Sequence, residues 1–167
     1  MTQQTAKGIH YPESTDHTRL WEHFQTLATD VDGLITIGSA EAEDTASRTT
    51  TSTSYADATG GVFSCSVTVP PSGKVMVAIR CTQRNSSSTL NAITSWQAVG
   101  STSGTVYSPN DTAALIVNGT NNISLCLTKR LTGLVPGETL TVSLKHRVNS
   151  PSTATCDYRN IDVWGLP

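Results

Sequence analysis

Few residues in this 167-residue sequence are of types that carry out acid–base or nucleophilic chemistry, and their spacing forms no catalytic pattern. GxSxG, HExxH and phosphate-binding glycine motifs do not occur. His17 and His23 are six residues apart, so on a helix they face different sides, unlike a metal-binding histidine pair. His146 alternates with Leu144 and Val148, which indicates a hydrogen-bonded core or interface histidine. We therefore predict no catalytic residue and no enzyme activity.

Cysteine can bind metals, form disulfides or pack as a small apolar residue, and the spacing here favours packing. The four cysteines are Cys65, Cys81, Cys126 and Cys156. None belongs to a CxxC motif or to a Cys/His cluster with zinc-type spacing. The pattern predicts four buried free thiols, with neither a metal site nor a cofactor.

Trp96 has two interpretations that differ in their functional meaning. Between Ser95 and Gln97 it could be an exposed platform for stacking a sugar ring, which is typical of a carbohydrate-binding module. A sandwich of this size also needs a tryptophan in its core, and we favour that interpretation.

The overall charge argues against two large classes of partner. Charged residues make up 14% of the chain and the net charge is −2, so no broad basic field is present for nucleic acid. The first residues contain no apolar signal segment, and no run of about 18 apolar residues occurs. We expect a protein made in the cytosol without a signal peptide and without membrane insertion.

Most of the chain shows the period-two alternation of β-strands. We predict about eight short strands, near residues 48–55, 62–69, 74–82, 92–99, 113–117, 123–129, 139–148 and 158–163. Their spacing predicts a mainly β fold, an antiparallel β-sandwich or jelly roll. Between the second and third strands, Pro71, Ser72 and Gly73 are predicted to form a hairpin loop with Gly73 at positive φ.

An arm and one amphipathic helix precede the β region. We divide the chain into a docking arm (1–15), an oligomerisation helix (16–36), a Ser/Thr-rich linker with an edge strand (37–61) and a β-sandwich head (62–167). Apolar residues recur at heptad spacing along the helix. The predicted packing stripe is Leu20, Trp21, Phe24, Leu27, Ala28, Val31, Leu34 and Ile35. Its width allows three-stranded association or packing on the chain's own sandwich.

The segment GIHYPESTDHTRLWEHFQTLATDVDGLI resembles the opening of short virion proteins of tailed bacteriophages of actinobacteria. In the arm Gly8, Tyr11 and Pro12 match that family. At the end of the helix the matching residues are Leu27, Ala28, Val31 and Asp32. The resemblance covers roughly a fifth of the chain. It implies that an arm containing Gly8, Ile9, Tyr11 and Pro12 docks onto the particle.

The same resemblance implies a homotrimer in the virion, in contact with other tail or capsid proteins. The β head would then be displayed as a minor tail or tail-fibre component that reaches the host surface and its glycans. A capsid decoration protein that stabilises the shell is the alternative within the virion class. A carbohydrate-binding module is the alternative outside it.

Overall fold

The computed structural model describes residues 3–4, 10–11, 24–28 and 37–167, which fall into two units, 1–37 and 38–167. In the first unit, β1 (Gln3–Gln4) pairs antiparallel with β2 (His10–Tyr11), and residues 24–28 are helical. Within these described ranges, no helix has the length and apolar content that crossing a membrane requires.

The second unit consists of ten strands and one short 3₁₀ helix. The strands are β3 (Ser39–Asp44), β4 (Arg48–Thr50), β5 (Ser64–Thr68), β6 (Val75–Asn85), β7 (Asn91–Gly100), β8 (Gly104–Tyr107), β9 (Leu115–Asn118), β10 (Ile123–Leu131), β11 (Thr139–Val148) and β12 (Ala154–Gly165). The 3₁₀ helix, Asp111–Ala113, is capped by the side chain of Asn110.

These strands form two five-stranded antiparallel sheets. Sheet 1 has the order β10-β6-β12-β3, and β4 also pairs with β12. Sheet 2 has the order β5-β11-β7-β8, and β9 also pairs with β7. The long strand β12 holds both short edge strands because residues 154–156 pair with β4 and residues 159–164 pair with β3. The predicted antiparallel β-sandwich is confirmed.

Alternating apolar residues of the two sheets fill the space between them. Trp96 on β7 is completely buried there and stacks on Tyr107 with ring centroids 4.0 Å apart. Around it pack valine, leucine and isoleucine side chains from both sheets, including Val77, Ile79, Leu140 and Ile161. The core interpretation of Trp96 is therefore confirmed, and Trp96 is not a sugar platform.

The predicted hairpin between residues 62–69 and 74–82 is wrong. Strand β5 pairs with β11 in sheet 2, whereas β6 pairs with β10 and β12 in sheet 1. The Pro-Ser-Gly segment instead crosses between the sheets. Gly73 does have positive φ (64°), and a Cβ atom there would lie 2.7 Å from the carbonyl oxygen of Leu134. The turn chemistry was predicted correctly, but the partner strands were not.

Two further differences concern short strands. The first part of the stretch interpreted as linker forms β3, which is an edge strand of sheet 1. The turn-rich segment after β7 contains β8, which adds a short edge strand to sheet 2. Both strands are poor in large apolar residues, so alternation alone does not distinguish them from loops.

Candidate functional site

The outer face of sheet 1 carries a row of aromatic and polar side chains in the last strand. Along β12, alternation places Tyr158, Asn160, Asp162 and Trp164 on the outer face and Ile161 and Val163 on the core face. Asn160 is nevertheless buried, whereas the other three outer residues are partly exposed. This strand pairs with β6 on one side and with β3 on the other, so its position is held along both edges.

A groove of about 470 Å³ lies on this face, at the β3 end of the sheet. It is lined by Ser39, Ala40, Glu41, Ala78, Asp162, Val163 and Trp164. Ala78 stands directly opposite Asp162 in the strand register, and its small side chain leaves the space that the groove occupies. The half-buried ring of Trp164 contributes the one aromatic surface of this lining.

Two carboxylates stand side by side in the groove. Asp162 on β12 is directly opposite Glu41 on β3, and Asn160 Nδ2 donates a hydrogen bond to Glu41 Oε1 at 3.0 Å. Burial raises the pKa of Asp162, and the negative charge of Glu41 raises it further, against a hydrogen bond from Asn160 that lowers it. The groove therefore combines an aromatic ring, a concentrated negative charge and several hydrogen-bond acceptors.

Beside the groove, Arg80 on β6 lies over the ring of Tyr158, with 5.2 Å between its guanidinium carbon and the ring centroid. The arginine is opposite Asn160 in the register, one row away from Asp162. This cation–π contact orients Arg80 along the sheet.

A second polar cluster lies inside the sandwich. Thr94 Oγ1 donates to Gln83 Oε1 at 2.6 Å, and Thr94 Oγ1 is also 2.9 Å from His146 Nδ1. Because the single hydroxyl hydrogen of Thr94 goes to Gln83, His146 Nδ1 must be the donor in the second bond. Cys156 Sγ is 3.4 Å from the same nitrogen. All four residues are fully enclosed, so this cluster supports the core and does not reach a ligand.

The cysteines divide into three buried thiols and one exposed thiol. Cys65, Cys81 and Cys156 are buried and free, as predicted, but Cys126 is exposed. The prediction for Cys126 is wrong because Cys126 is opposite Arg80 on the outer face of sheet 1, not between the sheets. Within the part of the chain that the structure describes, no group of three or more His, Cys, Asp or Glu side chains could hold a metal ion.

Only part of the predicted oligomerisation and docking segments lies within the described residues. Phe24, Leu27 and Ala28 belong to the helical residues 24–28, and Phe24 is 60% exposed. Tyr11 is in β2, opposite Gln3. The remaining candidates lie outside the described residues: Gly8, Ile9, Pro12, Leu20, Trp21, Val31, Leu34 and Ile35. Their roles in docking and oligomerisation stay predictions.

Sequence reasoning missed the groove residues Trp164 and Asp162. A usable signal exists in the last strand, where aromatic and polar residues alternate with apolar ones from Tyr158 to Trp164. Such alternation shows that the two sets face opposite sides of a sheet. Glu41 carries no comparable signal, because its place in the groove depends on the pairing of β3 with β12.

By its strand order the chain is an antiparallel β-sandwich protein. No protein-family model matches it, and the comparison with curated proteins finds no match. It is similar to the CBM22-1 xylan-binding domain of Xyn10C from Paenibacillus barcinonensis, with 12% identity, a TM-score of 0.37, and coverage of 76% of this chain and 87% of that one.

Two other solved structures show a similarly distant likeness. Eiger TNF from S. frugiperda has 8% identity and a TM-score of 0.42 over 78% of this chain and 92% of that chain. The enzymatically active domain of bacteriophage CBA120 tailspike protein 4 has 9% identity and a TM-score of 0.28, over 76% of this chain and 19% of that chain. At these scores the neighbours assign no function to this protein.

Proposed function

We propose that this protein is a non-enzymatic display protein of a bacteriophage virion whose β-sandwich attaches to a host-surface saccharide. The observation that carries the saccharide part is the groove on the outer face of sheet 1, where Trp164 lies beside Asp162 and Glu41. The virion part is supported by the N-terminal sequence from Gly8 to Ile35 and its resemblance to phage structural proteins.

The chemistry of the groove suits a sugar ring. A pyranose has an apolar face of C–H groups, which packs on an aromatic ring, and a rim of hydroxyl groups, which donate hydrogen bonds. Trp164 supplies the aromatic ring, and the carboxylates of Asp162 and Glu41 supply acceptors. Because β12 is paired along both edges, these groups are held in place before a ligand arrives, which lowers the entropic cost of binding.

The arrangement of the two carboxylates supports binding without hydrolysis. A glycoside hydrolase places its two carboxyl groups on either side of the scissile bond. Here Asp162 and Glu41 are directly opposite each other on adjacent strands, and Asn160 holds Glu41 by a hydrogen bond. Both carboxylates therefore project from the same face of sheet 1.

Saccharide binding is tested by calorimetry on the full chain, with ligands taken from an array of bacterial surface glycans. Trp164→Ala should weaken binding at least about tenfold, because it removes the stacking surface. Trp164→Phe, which keeps an aromatic ring, should retain most of the affinity. The control is Val62→Ala, which shortens an exposed apolar side chain outside the groove lining and should change nothing.

Two results would contradict this proposal. Undiminished binding by Trp164→Ala would exclude the groove as the binding site. Release of reducing ends from a bound saccharide would identify a glycoside hydrolase instead of a binding protein.

A further inference from the structure

Among the residues that the structure describes, no cationic side chain is paired with the carboxylates of the groove. Within residues 37–167, neither Asp162 nor Glu41 takes part in an ion pair. Glu43, also on β3, adds a third exposed negative charge in the next row of the sheet. The closest outward-facing arginine on β6, Arg80, is engaged with the ring of Tyr158.

A second arginine on this face also lies away from the carboxylates. Arg130 on β10 is opposite Met76, so β6 separates it from β12. The groove therefore holds excess negative charge, and two like charges on directly opposed residues repel each other in the free protein. A cationic group bound between them would remove that repulsion and form charge-assisted hydrogen bonds with both carboxylates.

The same groove also contains an aromatic ring, which narrows the class of cation. A sugar with a free amino group carries an ammonium ion on a ring whose C–H face can pack on Trp164. A single amino-sugar unit can therefore contact the ring of Trp164 and the two carboxylates at the same time. An acidic saccharide would bring its carboxylate toward Asp162 and Glu41 and would be repelled.

We propose that the groove selects amino saccharides with unacetylated amino groups, bound with the ring on Trp164 and the ammonium between Asp162 and Glu41. This inference rests on the proposed saccharide-binding function and names its ligand class. The groove volume of about 470 Å³ is within the range of about 300–1,000 Å³ that small-molecule sites have.

The test compares three trisaccharides of similar size by calorimetry on the full chain at low salt. They are the glucosamine trimer, the N-acetylglucosamine trimer and trigalacturonate. The titrations are done at about pH 6, where the amino groups of the glucosamine trimer are protonated. We expect the glucosamine trimer to bind at least about tenfold more tightly than the N-acetylglucosamine trimer, and trigalacturonate to bind most weakly.

Asp162→Asn should remove this preference, so that the glucosamine and N-acetylglucosamine trimers bind with affinities within about twofold of each other. Glu41→Gln is a second variant on the edge strand, where a side-chain change disturbs the fold least, and should reduce the preference in the same direction. Thr128→Ala, on the outer face of β10, is the control and should keep the preference. Thermal melting of each variant verifies that the sandwich is folded.

The possible failures can be told apart. Equal affinity for the glucosamine and N-acetylglucosamine trimers, with loss of both in Trp164→Ala, overturns the amino-sugar inference and leaves the saccharide function in place. Absence of binding to any saccharide overturns both. If hexalysine binds as tightly as the glucosamine trimer and Trp164→Ala does not weaken it, the groove is a site for a basic protein segment, and the inference is wrong.

Discussion

Asp44 connects three strands through a single carboxylate. Its Oδ2 accepts a hydrogen bond from Arg48 Nε on β4 at 3.0 Å and forms an ion pair with Arg159 on β12, while Oδ1 accepts from the backbone N–H of Ala46. Burial alone would raise the pKa of Asp44, but the hydrogen bonds from Arg159, Ala46 and Arg48 hold it well below its ordinary value. The ionised carboxylate is therefore part of the folded state.

We predict that Asp44→Asn lowers the free energy of unfolding by about 3 kcal/mol at neutral pH. The reason is that Arg159, whose side chain is almost fully buried, loses its anionic partner. Urea denaturation followed by tryptophan fluorescence measures the change. Glu43→Gln, an exposed neighbour on the same strand, should alter the free energy by less than about 0.5 kcal/mol.

The pH dependence of this difference follows from the depressed pKa of Asp44. The stabilisation is fully present above the ordinary aspartate pKa of about 3.9 and is lost as the pH falls through the lower pKa of the folded protein. The gap in stability between the wild type and Asp44→Asn should therefore shrink on acidification below about pH 4. A gap that stays constant into that range would show that Asp44 does not act through its charge.

At the scale of single residues, the sequence predicts burial better than it predicts the site. Trp96 and His146 are both inside the sandwich. The need of a sandwich for a core tryptophan predicts the first, and the alternation of His146 with Leu144 and Val148 indicates the second. The groove residues Asp162 and Trp164 also alternate, but their significance comes from Glu41 and Ala78 on two other strands. Register between distant strands is a property of the folded chain, and no local pattern encodes it.

At the scale of strands, alternation predicts most elements, but local turn chemistry does not predict their partners. The predicted strand at 139–148 coincides with β11. The Pro-Ser-Gly segment has a glycine at positive φ, as a hairpin would, yet it leads from sheet 2 to sheet 1. A tight turn is compatible with both connections, and the choice depends on which sheet buries each strand's apolar face.

The alternation of β10 places the thiol of Cys126 on the exposed face of sheet 1, and this gives a prediction about its reactivity. We expect a thiol reagent to modify Cys126 rapidly in the native protein and the other three cysteines only on unfolding, because they are buried. Burial and, to a smaller extent, the charge of Asp162 together raise the pKa of the Cys65 thiol to about 11, so its reactive thiolate is scarce. Mass spectrometry after timed labelling counts the modified sites.

Cys126→Ser is the matched variant for this measurement. It should remove the rapid labelling of the native protein without changing the slow labelling of the three buried cysteines. Rapid labelling of two or more sites in the native wild type would contradict the burial of Cys65, Cys81 and Cys156.

At the scale of the whole molecule, the N-terminal unit carries the proposed assembly function. Phe24 is 60% exposed, and it belongs to the heptad stripe that we propose packs against sister helices. We predict a solution mass near three times 17.7 kDa by light scattering. The double variant Phe24→Asp and Val31→Asp should dissociate the trimer, because association would bury unpaired charges.

A dissociated variant should keep the thermal transition of the sandwich, since residues 38–167 form a compact unit with their own core. Lys129→Ala, on β10, is the control and should leave the mass unchanged. A wild-type protein of monomeric mass would count against trimerisation. Antibody labelling of purified particles would distinguish a tail location from a capsid location.

The two carboxylates of the groove come from the first and last strands of the sandwich. Glu41 lies on β3 and Asp162 on β12, and the nearby pair of Asp44 and Arg159 is separated by 115 residues of sequence. Because this contact joins residues far apart in sequence, both carboxylates come together only once β3 and β12 have paired. A ligand in the groove would join the two ends of the domain and stabilise its folded state, by an amount that rises with the logarithm of the ligand concentration once that concentration exceeds Kd.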